Sequence, residues 1–136
     1  MNRVWVILMS VAAAHGLGFG GTEAAMSEKE PLPRKDAFFG LHFDLHPQKT
    51  DTSLGADITE ENIGHLLRRV RPDYVQYDCK GHAGYTGYPT KVGWPSPGIV
   101  KDSLALWRKV TRENGVGLYI HYSGVWDSAA LEHHPE

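Results

Sequence analysis

A single cysteine, Cys79, stands in the 136-residue chain, so no internal disulfide can staple it. Its place within the second predicted strand marks it as a buried strand residue rather than a nucleophile. Excess basic charge is also missing. Fourteen Lys and Arg against 16 Asp and Glu give a formal net charge of −2. The one basic cluster, Arg68-Arg69 with Arg71, falls at the C-terminal end of a predicted helix, where cations favour the helix dipole. Phosphate recognition needs concentrated positive charge, so these counts exclude a nucleic-acid surface. Long apolar runs are absent too. The one apolar stretch, Val4 to Ala14, is interrupted by Ser10 and followed by Gly16, Gly18, Gly20 and Gly21. It falls short of the roughly 20 apolar residues a membrane-spanning helix needs. No Gly-rich phosphate turn follows the first predicted strand, which argues against a dinucleotide fold, and nothing in the sequence calls for a cofactor.

What is present begins with an address. Met1-Asn2-Arg3 supplies a positive start, the apolar run follows, and small residues come after it at Ala12 to Ala14 and again at Ala24-Ala25. This architecture predicts an export signal over residues 1–25 and a secreted or periplasmic protein. Residues 26–36, polar and carrying Pro31 and Pro33, read as a linker, with the folded region from residue 37 to 136.

From there strand and helix patterns alternate, the sign of a parallel α/β architecture. Residues 37–45 read as a first strand: Phe38, Phe39, Leu41, Phe43 and Leu45 are apolar, while His42, Asp44 and His46 share the other face. A helix follows, with Thr59 as N-cap, Glu60 and Glu61 in its first turn, an Ile58/Ile63 staple and an apolar stripe of Ile63, Leu66, Leu67 and Val70. Arg71-Pro72-Asp73 ends it. Residues 74–80 form the second strand, and residues 81–98 a loop too rich in turn formers to be regular. A second helix is expected from Ile99 to Asn114, with Val100, Leu104, Trp107 and Val110 toward the sheet and Asn114-Gly115 as its stop. A third strand spans residues 116–123, and residues 124–136 read as a loop.

About three such β/α units fit the opening of a (β/α)₈ barrel, which needs about 250 residues to close, so the expectation is an N-terminal portion, truncated. In barrels the C-terminal strand ends carry the site. The first exit offers His42, Asp44 and His46; the second Asp78, Lys80, His82, Tyr85 and Tyr88; the third His121, Tyr122, Trp126 and Asp127. Polar and charged groups that hydrogen-bond hydroxyls, beside aromatic faces that stack on a pyranose, suit a carbohydrate substrate.

The stretch Tyr74 to Tyr85 (YVQYDCKGHAGY) is similar to the α-L-fucosidase segment in which a strand ends in Lys-His-His-Asp-Gly-Phe. Asp102-Ser103-Leu104 and Gly117 to Ser123 (GLYIHYS) resemble that family's next helix and its Gly-Leu-Tyr-Tyr-Ser strand, and Phe39-Gly40-Leu41 its opening Phe-Gly. The resemblance implies a glycoside hydrolase in which Lys80, His82 and Tyr85 are pocket residues. Gly81 and Ala83 depart from it, standing where the first histidine and the aspartate fall, and Asp44 stands where a substrate-binding histidine falls, with His42 and His46 flanking it. A fucosidase-like barrel of altered specificity is therefore implied. Retaining enzymes use two carboxyl groups about 5 Å apart. The resemblance places the nucleophile at a fourth strand end and the acid/base later, so no catalytic residue is expected within residues 1–136 and the chain alone is expected to be inactive.

Two other readings stay open. His42, Asp44 and His46 could hold Zn²⁺ or another divalent ion in a metal-dependent barrel hydrolase, activating a bound water. The chain could also be a non-catalytic carbohydrate-binding fragment.

Overall fold

A computed structural model describes residues 30–135. Their elements run β1 (Gly40–Phe43), α1 (Glu60–Val70), β2 (Tyr74–Lys80), β3 (Tyr85–Thr86), β4 (Trp94–Pro95), α2 (Ser103–Glu113), β5 (Gly117–Tyr122) and α3 (Ser128–His133). The expected signal, residues 1–25, lies outside the described residues. Of the linker, residues 30–36 are irregular and end in a turn. No helix among the described residues is long and apolar enough to cross a membrane.

The fold is a mixed α/β unit centred on β2. β1 lies parallel on one side, pairing Gly40 with Tyr74 through Phe43 with Tyr77. β5 lies parallel on the other, pairing Tyr74 with Gly117 through Asp78 with His121. Parallel neighbours need a long crossover, and α1 and α2 supply the two. Alternation then divides the side chains. Leu41, Phe43, Val75, Tyr77, Cys79 and Leu118 meet Ile63 and Leu67 of α1 and Trp107 and Val110 of α2 in one core. The opposite parity, His42, Gln76, Asp78 and His121, falls on the face away from the helices.

The helix starts follow from their caps. Thr59 Oγ1 accepts the Asn62 N–H at 3.1 Å and Asp102 Oδ1 accepts the Ala105 N–H at 2.9 Å. The second helix therefore begins at Ser103, not Ile99. Val100, expected toward the sheet, is 60% exposed, because its N–H is committed to Leu54 O at 3.0 Å in a bridge between loops.

The first strand is shorter than residues 37–45. The N–H groups of Phe38 and Phe39 both donate to Asp73 Oδ2, at 2.9 and 2.8 Å, instead of joining a strand. These two bonds, Phe39 first, hold the Asp73 carboxyl below its usual range, and Phe38 is left 95% exposed. Nor is the stretch 81–98 wholly irregular. Because β1 stops opposite Tyr77, the end of β2 is free on that side, and β3 pairs antiparallel there, Lys80 opposite Thr86, with β4 parallel beyond it. The segment after β5 is likewise not all loop: Asp127 Oδ1 caps α3 by accepting the Ala130 N–H at 2.8 Å. His133 of α3 stacks on Trp94 of β4 with ring centroids 4.6 Å apart.

Candidate functional site

The three parallel strands end together, and the register decides which side chains meet. Asp78 sits opposite His121 on β5, one row beyond the pairing of His42 with Gln76. Its carboxylate is buried, 1% exposed, and both histidines reach it. His42 Nε2 stands 3.1 Å from Asp78 Oδ1 and His121 Nδ1 3.0 Å from the same oxygen. A carboxylate can only accept, so His42 Nε2 carries the proton it donates. The Gln76 amide nitrogen, 3.5 Å from that same ring nitrogen, is a second donor and a neighbour rather than a partner. The His121 contact is too bent for a hydrogen bond, which leaves Nδ1 unpartnered, and Asp78 Oδ2 also has no hydrogen-bond partner.

Past the end of β1, Asp44 approaches the same carboxylate, and His46 Nε2 lies 2.8 Å from Asp44 Oδ1. The contact with Asp78 is the largest influence on Asp44. With help from His46 and His42 it outweighs slight desolvation and holds the Asp44 carboxyl below its usual value. The expected ligand trio His42, Asp44 and His46 is not the set that gathers. One donor atom each from His42, Asp44 and Asp78 lies within 4.8 Å of the others, while His46 points its ring nitrogen at Asp44.

A second group forms at the exits of β2 and β5. The register shifts between Asp78 and Lys80, where β2 advances two residues for one on β5, so Lys80 comes opposite Tyr122. Such a bulge re-aims side chains. Lys80, 4% exposed, donates to Ser123 O at 2.5 Å, pairs with Asp127 Oδ2 at 2.8 Å and lies 4.8 Å from the Tyr122 ring centroid. Desolvation acts upward on Asp127, but the Lys80 ammonium and the Ala130 N–H override it and hold that carboxyl low. His82 Nδ1 and Ser123 Oγ are 2.7 Å apart. The His82 ring lies 5.3 Å from the His46 ring and 5.0 Å from the Trp126 ring. The result is one polar strip from His121 through Asp78, His42, Asp44 and His46 to His82 and Trp126.

Tyr85 is not brought into this strip. It lies on β3, 9% exposed, paired with Trp94. Gln76 and Ser123 are the residues the sequence reading passed over. Gln76 was visible in principle, since it shares strand parity with Asp78 and Lys80, whereas the role of Ser123 depends on the register shift. A cleft of about 420 Å³ adjoins the strip at His46 and Asp78, its other walls coming mainly from residues 51–58. A cavity of about 500 Å³ beside Arg68, Arg71 and Asp73 opens at the opposite strand ends, away from these groups.

No known family profile matches the chain, and no curated protein does. Among solved structures, alpha-L-fucosidase isoenzyme 2 from Paenibacillus thiaminolyticus is similar, with a TM-score of 0.67 and 20% identity over 73% of this chain. The chain spans 15% of that enzyme's length. At this identity the likeness is one of fold.

Proposed function

We propose that the chain is the opening segment of an exported glycoside hydrolase with an α-L-fucosidase-like (β/α)₈ barrel, and that its strand exits bind the sugar. The observation that carries the reading is the meeting of three parallel strand ends on the face opposite the helices, where His42, Asp78 and His121 converge and Lys80, His82 and Trp126 continue the strip. Charge-assisted hydrogen bonds from such groups recognise hydroxyls, and the half-exposed Tyr122 and Trp126 offer faces for a pyranose. Fold likeness to a fucosidase supports the choice of sugar chemistry over other barrel reactions, and fold alone hosts many activities. The reaction's two carboxyl groups are assigned to the rest of the barrel, so this chain contributes substrate positioning.

The test is sugar binding by the 136-residue chain, followed by saturation-transfer NMR with L-fucose and a panel of methyl glycosides. A saturable signal that His121→Gln and Trp126→Ala both diminish is the expected outcome, with no release of nitrophenol from any aryl glycoside. Absence of binding across the panel, or turnover by the chain alone, overturns the assignment.

A further inference from the structure

We propose that His42, Asp44 and Asp78 form a binding site for one divalent ion of the first transition row, with Zn²⁺ and Mn²⁺ as the fitting members. One donor atom from each of the three lies within 4.8 Å of the other two, a spread that a small adjustment of the exposed His42 and Asp44 side chains closes around an ion. Proximity of acidic groups is common without a ligand. The independent observation is Asp78: its side chain is fully buried, and its Oδ2 has no hydrogen-bond partner. A buried carboxylate oxygen without a partner is costly.

A cation beside Oδ2 removes that penalty, and the neighbouring ammonium does not supply it. Lys80 is the cation nearest along β2, but its ammonium is committed to Asp127 Oδ2 at 2.8 Å and to Ser123 O. His121 Nδ1, also without a hydrogen-bond partner, stands 3.0 Å from Asp78 Oδ1 and is within reach as a fourth donor. His46 acts one step back, its Nε2 2.8 Å from Asp44 Oδ1 fixing the orientation of that carboxylate. An imidazole with two carboxylates selects a first-row ion over Ca²⁺ or Mg²⁺, which favour all-oxygen sets. Because His42 and Asp44 face solvent, coordination positions stay open on that side for water or for a pair of neighbouring hydroxyls. The site stands on its own geometry and does not rest on the sugar reading.

Chelator-treated 136-residue chain is titrated calorimetrically with ZnCl₂ and, separately, with MnCl₂, free Mn²⁺ being followed by electron paramagnetic resonance. One equivalent is expected to bind. Asp44→Asn, at an exposed position that the fold does not need, and Asp78→Asn should each weaken it by at least about tenfold, with far-UV circular dichroism unchanged for Asp44→Asn. A His133→Gln/His134→Gln double variant, which removes the histidines at the end of α3 and just after it, should bind as the parent does. Absence of a saturable equivalent overturns the site, as does one that survives Asp44→Asn or disappears in the double variant. Since no sugar enters these titrations, their failure leaves the carbohydrate proposal standing, and failed sugar binding leaves this one standing.

Discussion

At Gly81 an added Cβ would lie 2.9 Å from both Cα and Nδ1 of His46, closer than packed atoms tolerate. The missing side chain is what lets His46 lie against His82. Where the fucosidase pattern carries two successive histidines, this chain keeps His82 and brings a second imidazole to it from the exit of β1, 5.3 Å away between ring centroids. Gly81→Ala should therefore displace His46: its imidazole NMR resonances and those of His82 shift, while those of His121, on β5 beside Asp78, stay in place. Unmoved His46 resonances would show that the glycine serves some other purpose. Cys79 gives a second prediction at this scale. Burial first, then the charges of Asp78 and Asp102, push its thiol up to about 11, whereas an unfolded thiol titrates near about 8.5. Between those values the unfolded chain has released a proton that the folded chain retains, so stability is full below about 8.5 and falls as pH rises toward 11. Urea midpoints measured from pH 8 to 10.5 should decline for the parent more steeply than for Cys79→Ala, and iodoacetamide should label Cys79 only on unfolding.

Elements with a local start signal were legible in the sequence, and those that exist through their partners were not. Thr59, read as a cap from the sequence, accepts the N–H three residues on, a relation written within a few residues; Asp102 does the same but was passed over, because the apolar Ile99 and Val100 extended the helix pattern backward. β3 and β4, two residues each, arise because β1 ends early and leaves Cys79 O to accept the Gly87 N–H at 2.9 Å, a fact about distant chain. The overlong first strand has a similar cause, since the apolar alternation continues through Phe38 while its N–H is taken by Asp73, 35 residues away. Within the candidate site, parity placed His42 on the face opposite the apolar residues of the first strand and strand ends marked Asp78; what neither could supply was the register that sets His121 beside Asp78 and Tyr122 on Lys80. The contrast at the start of α2 is open to measurement. Asp102→Ala should cost about 1 kcal/mol through the lost cap, and Val100→Ser, at an exposed position before the helix, should change stability by less than about 0.5 kcal/mol. Equal losses in urea unfolding would mean that the helix begins earlier than Ser103.

On the scale of the whole molecule, the same topology that gathers the polar strip leaves β1 and β5 each paired on one side only among the described residues. Parallel strands are ordinarily buried on both faces and both edges, and an open edge carries unpaired N–H and C=O groups that template pairing with another chain. The β5 edge is also apolar: Ile120 is 49% exposed, and beside it Leu118, Leu104 and Val116 line a groove running along α2. In a closed barrel this is where the next strand and helix pack. The 136-residue chain by itself is therefore expected to self-associate, with a sedimentation coefficient that rises with concentration. Ile120→Lys should suppress that rise by placing a charge at the edge. Extending the chain through further strand-helix units should suppress it as well and protect the β5 amides from hydrogen exchange. A chain that remains monomeric at high concentration with slow exchange along β5 would show the edge to be covered by some other means, and the barrel proposal would lose its reason for needing a fourth strand there.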